Sequence, residues 1–149
     1  MLYTPWRLLV MLLVFSAAGL GTGWAGEKVC VSLYVGENEP TPPGVQAAPP
    51  KLHQQLQEVF GFQHYRLLKE QDYLLHNEWE QWFIPRRDFF VRIEPLHREL
   101  GQPKMLDYEI YKDGFIVVKG TYELHAETPL FINGPDFHRG RLILVLEAP

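Results

Sequence analysis

Three short stretches of the chain collect residue types that do chemistry. "INGPDFHRGRLILVLE", Ile132 to Glu147, sets Asp136, His138, Arg139 and Arg141 within six residues. "HNEWEQW" starts at His76 and "ELHAE" at Glu123. On an extended chain alternate residues share a face, so His76, Glu78 and Glu80 point one way, and so do Glu123, His125 and Glu127. Were the two strands neighbours, His76, Glu78, Glu123 and His125 could surround a zinc or iron ion, which takes nitrogen and oxygen ligands from several directions. Any solvated strand face shows the same alternation, so the metal site is a secondary expectation. Asp136 and His138 would need a nucleophile or activated water to serve. No serine stands in a nucleophile-elbow context, and Cys30 sits in strand-like sequence near the N-terminus. No catalytic residue and no cofactor are therefore assigned. Gly134, Pro135 and Gly140 make the stretch from Asn133 to Gly140 read as a connection between two strands.

A different chemistry is offered by aromatic side chains. Trp79, Trp82, Phe83, Phe89 and Phe90 crowd around "FIPRRDFF". Exposed rings of this kind fill pockets on partner proteins or stack on sugars, because they carry large rigid surfaces at low entropic cost. Residues three apart on a regular strand face opposite ways, so one of Trp79 and Trp82 is expected near the surface. Trp79, Trp82, Arg139 and Arg141 are the partner-binding candidates.

The elements that must position these residues are mostly strands. "KVCVSLYV", Lys28 to Val35, alternates strictly, with Val29, Val31, Leu33 and Val35 on one side. Residues 36–50 carry five prolines and form a loop. A helix follows from Pro49-Pro50 to Gly61, with Leu52, Leu56, Val59 and Phe60 on its apolar face. Beyond Phe62, strand-like runs alternate with turn signals: 63–68, 73–83, 89–94, 105–111, 115–124, 130–132 and 142–146. The firmest turn is "YKDGF". The expected fold class is α+β, mostly β: one amphipathic helix packed on an antiparallel sheet or small sandwich of about eight strands.

The start of the chain reads as an export signal covering residues 1–25. Arg7 precedes a 13-residue run, Leu8 to Leu20, of apolar or small residues, and Gly23-Trp24-Ala25 suits a cleavage site. That run is shorter than the roughly 17 to 25 residues of a spanning helix. Residues 26–149 then form one β-rich domain without a membrane span, outside the cytoplasm, in the periplasm or beyond it. The signal holds one of the 14 basic residues and none of the 18 acidic ones, which leaves the remainder with a formal charge of −5. That sign opposes binding to nucleic acid. With Cys30 alone, no disulfide forms within the chain.

The order of elements, from the export signal through "VFGFQHYRLL" to "GPDFHRGRLILVL", resembles small exported bacterial β-rich proteins. "LFINGP" is faintly similar to the "NGQTVVLGG" strand of secretin outer-membrane channels, although Pro135 follows Gly134 where that strand has paired glycines. The resemblance implies a periplasmic accessory role and assigns no residue. The expected function is an exported, non-enzymatic module that binds another envelope or secreted protein or assists envelope assembly, with a homo-oligomer left open. A carbohydrate-binding domain is the alternative, and a metal-dependent enzyme built on the His/Glu strands comes third.

Overall fold

The computed structural model describes residues 27–75, 80–96, 103–125 and 128–148. The export signal at 1–25 and the candidates His76, Glu78, Trp79 and Glu127 lie outside them. In chain order the elements are β1 (Glu27–Glu37), α1 (Pro50–Phe60), β2 (His64–Leu75), β3 (Gln81–Phe83), β4 (Phe89–Pro95), β5 (Met105–Lys112), β6 (Phe115–Glu123), β7 (Leu130–Phe137) and β8 (Gly140–Glu147). The strands form two antiparallel sheets of four, β2-β1-β8-β7 (sheet A) and β3-β4-β5-β6 (sheet B). The expected mostly-β fold of about eight strands and one helix is what the described residues form, with eight strands and one helix among them. Among the described residues no helix is long and apolar enough to cross a membrane.

Strand alternation explains how the layers meet. Val29, Val31, Leu33 and Val35 of β1, with Leu142, Leu144 and Leu146 of β8, point at sheet B and pack with Phe83, Phe89, Val91, Ile93, Leu106 and Ile110. The opposite face of sheet A is covered as well. Tyr34, Ile143 and Val145 pack with Leu52 and Leu56 of α1 and with Tyr65. Sheet A is thus the middle of three layers, and the continuous apolar run "LILVL" is a strand buried on both faces.

The helix is held at both ends by what the sequence places there. Pro50 occupies the first turn, where its missing N–H is not needed, and Gly61 closes the helix at φ 77°, its N–H donating to the Gln57 carbonyl at 2.9 Å. The Tyr65 hydroxyl donates to the Leu56 carbonyl at 2.9 Å and accepts from the Phe62 N–H at 3.2 Å, which ties the last turn to β2. The buried stripe runs through Leu52, Leu56 and the half-buried Phe60, which meets Phe131. Val59, expected on that stripe, is 60% exposed, because a stripe at every fourth residue drifts away from position 59.

Several boundaries differ from the sequence reading. Residues 64–75 form one strand, with a bulge at Leu68 where Leu33 pairs with Lys69 and Tyr34 with Leu67. Gly36 and Glu37 continue β1, so the Pro-rich loop starts later than expected, whereas the helix begins at Pro50 as the paired prolines predict. The end of the Pro-rich loop is tied to β2: Ala48 donates to the Tyr65 carbonyl at 3.0 Å, and Leu67 to that of Gln46 at 2.8 Å.

The stretch from Asn133 to Gly140, expected as a loop, is mostly strand. β7 runs to Phe137, and the turn is only His138 and Arg139. Gly134 and Pro135 make a bulge opposite Leu142, on an edge strand where a missing N–H is tolerated. A Cβ on Gly134 would lie 2.6 Å from the Leu142 carbonyl oxygen. Gly140 is likewise no turn residue: the left-handed conformation falls on His138, at φ 51°. What requires glycine at 140 is the Gly36 carbonyl, into which a Cβ would run. Gly140→Ala is therefore expected to destabilise the fold by about 1 to 3 kcal/mol, the usual range for overpacking. Urea unfolding checks this, and a loss under about 0.5 kcal/mol would remove the close-approach argument.

Candidate functional site

The outer face of sheet B carries a row of apolar side chains across all four strands. Phe90 on β4 pairs with Tyr111 on β5, and Tyr111 pairs with Ile116 on β6. Trp82 on β3 completes the row, its ring centroid 5.9 Å from Phe90 and 5.7 Å from Tyr111. Phe90 and Tyr111 stack at 4.9 Å with an interplanar angle of 14°. Trp82 is 39% and Ile116 49% exposed, with Phe115 and Val117 exposed beside them. The alternation of "FFVRIE" produces this split: Phe89, Val91 and Ile93 enter the core while Phe90, Arg92 and Glu94 face out.

Beside the aromatic row lies a charge network centred on Arg92. Its Nε donates to Glu80 Oε2 at 2.7 Å, its Nη2 reaches Glu94, and its Nη1 lies 3.3 Å from Glu109 Oε2. The aromatic side chains join in: Trp82 Nε1 donates to Glu80 Oε1 at 3.1 Å and the Tyr111 hydroxyl to Glu109 Oε2 at 2.7 Å. Hydrogen bonds from Arg92 and then Trp82 hold the Glu80 carboxyl below its ordinary range. Trp82 is also fixed from behind, because the Tyr73 hydroxyl of sheet A donates to its carbonyl at 3.0 Å. Below the row, Arg86 and Lys112 hold Asp88 well below the usual carboxylate range and join the β3–β4 turn to β5.

The remaining candidates fall elsewhere. Arg139 pairs with Glu39 at 2.7 Å, and Arg141 with Asp136 at 3.1 Å, all four side chains being exposed. Both arginines lie at the β7–β8 hairpin of sheet A, which a contact of Arg86 with the Phe137 ring, 4.6 Å to its centroid, links to the β3–β4 turn. Asp136 is thus occupied by Arg141 rather than by His138. Exposed pairs contribute little, so replacing Asp136 and His138 together by Ala should change the unfolding free energy by no more than about 1 kcal/mol. A hydrolytic or metal-dependent activity that vanished in this double variant, its fold intact, would overturn the reading of these residues as a turn.

Glu123 and His125 form an exposed pair, 3.7 Å apart, at the end of β6. Glu80, the described end of the other His/Glu stretch, precedes β3 at the opposite edge of sheet B. Among the described residues, Glu80 is thus separated from the Glu123/His125 pair by β4 and β5. Among the described residues no group of three or more His, Cys, Asp or Glu is arranged to hold a metal ion.

On the helix side of sheet A, a groove of about 370 Å³ is lined by Tyr34, Lys51, Leu52, Glu70 and Glu147. The buried Ser32 hydroxyl donates to Glu70 at 3.0 Å, and burial, followed by the charge of Glu70, raises the Glu147 carboxyl. Burial likewise pushes the Cys30 thiol up to about 11, which keeps it protonated and unsuited to nucleophilic attack.

Phe90 was legible as one of the aromatic concentration, whereas its companions Phe83 and Phe89 belong to the core. Tyr111, Ile116, Arg92 and Glu109 carried no signal, because only strand pairing brings them to Trp82. No family model, no curated protein and no solved structure matches this chain.

Proposed function

We propose that the chain is an exported, non-enzymatic module that binds another protein of the cell envelope through the outer face of sheet B. The observation that carries this reading is the row formed by the exposed Trp82 and Ile116 with the half-buried Phe90 and Tyr111, beside Arg92. Trp, Tyr and Arg are the residue types that dominate the energetics of protein interfaces. Apolar side chains set side by side on the outer face of a sheet, two of them exposed, also mark an interaction site. Export rests on the sequence of residues 1–25.

Carbohydrate binding is the weaker reading for this face. Phe90 and Tyr111 turn their rings toward each other in a stack, which leaves less free ring surface for a sugar than an open platform would.

Trp82→Ala decides the matter. Truncating a central interface Trp costs about 2 kcal/mol or more, so the native partner should bind roughly thirtyfold more weakly. The measurement is co-purification and affinity against protein from the native envelope fraction. Val59→Ala, on the exposed side of the helix, serves as the control. Undiminished partner binding by Trp82→Ala, or specific retention on a glycan array, would end the proposal.

A further inference from the structure

We infer that the partner presents a Lys or Arg side chain to the outer face of sheet B, seated against Trp82 and the carboxylates gathered around Arg92. This rests on the reading of that face as the partner-binding surface, and it adds the chemistry of the partner. Three carboxylates, Glu80, Glu94 and Glu109, surround the single guanidinium of Arg92. By strand register Asp107, Lys119 and Glu123 share the same face. Among the described residues five acidic side chains therefore share this face with two basic ones, a formal −3. The excess negative charge adjoins an exposed indole.

A cation gains twice in that setting, once from the ring quadrupole and once from carboxylates that retain free lone pairs. Arg92 neutralises only part of the cluster and holds it in place. The aromatic donors fix it further, since the Trp82 and Tyr111 hydrogen bonds orient Glu80 and Glu109 toward the apolar row. An acidic partner would be repelled by the same charges. A second copy of the chain is disfavoured on this ground as well, because two such faces meeting would oppose −3 with −3.

The test uses purified protein and three peptides of equal length and equal leucine content, carrying respectively lysine and arginine, glutamine, or glutamate at the variable positions. Affinity is measured by calorimetry, and the site is read from the NMR signals of the Trp82 indole N–H and the Arg92 and Tyr111 amides. The basic peptide is expected to bind at least tenfold more tightly than the other two and to shift those signals. Its affinity should fall at least tenfold in Trp82→Ala and in Glu94→Gln, and again as salt is raised toward 1 M, where screening shortens to about 3 Å. Thermal unfolding of both variants verifies that sheet B is intact.

Equal binding of the basic and glutamine peptides at Trp82, or no shift from any peptide, would overturn the inference about the cation. The proposed function would then stand or fall separately on whether Trp82→Ala still retains the native partner. Undiminished affinity of the basic peptide for both variants would also overturn it, as would dimers of the free protein that form through this face.

Discussion

Leu56→Ala is expected to lower the free energy of unfolding by about 2 to 5 kcal/mol, the range for deleting most of a buried leucine. Leu56 is fully buried in the layer between α1 and sheet A, among Leu52, Ala48, Tyr65, Ile143 and Val145. The substitution removes the centre of the helix's apolar stripe. The surrounding groups cannot close the gap easily, because the Leu56 carbonyl is pinned by the Tyr65 hydroxyl and Tyr65 belongs to β2. Phe60→Ala, a half-buried contact with Phe131, should lose less. Urea unfolding measures both. A loss below about 0.5 kcal/mol at Leu56 would mean that the helix does not pack on the sheet and that its apolar face is available to a partner.

Leu144→Ala should be at least as damaging, again about 2 to 5 kcal/mol and toward the upper end. Leu144 pairs with Leu33 on one side and Ile132 on the other, in the interior of sheet A, and is fully buried against sheet B. Its strand is covered on both faces, so relaxation in either direction disturbs a packed layer. The fold must also hold without an internal disulfide. Equilibrium unfolding followed by tryptophan fluorescence gives the number, and a change under about 1 kcal/mol would contradict the three-layer arrangement. Affinity for the proposed partner, extrapolated to folded protein, should change little, since Trp82 lies on the far side of sheet B.

What the sequence by itself determined is local. The alternation in "KVCVSLYV" and "FFVRIE" assigns each residue to a face, since successive side chains of a strand must point opposite ways. The "KDG" turn is realised with Asp113 at φ 52° and Gly114 at φ 83°, the positive angles that a two-residue hairpin demands. The helix begins and ends where proline and glycine fix its first turn and its cap. Each of these depends on residues within a few positions of one another.

Tertiary structure decided everything that depends on which strand lies beside which. Periodicity distinguishes two faces of β1 but cannot reveal that both are buried, because the second is covered by a helix that the alternation does not encode. It could not bring β8 beside β1 across more than a hundred residues, or give Gly134 and Gly140 their reason, which is the approach of the Leu142 and Gly36 carbonyls. The candidate site shows the same division. Trp82 and Phe90 stood out as aromatic residues near a turn, but the row through Tyr111 and Ile116, and the grouping of three glutamates around Arg92, exist only in the register of four strands. A side chain's face is set by its own backbone, whereas its neighbours are set by hydrogen bonds made far along the chain, and the candidate site is built from neighbours.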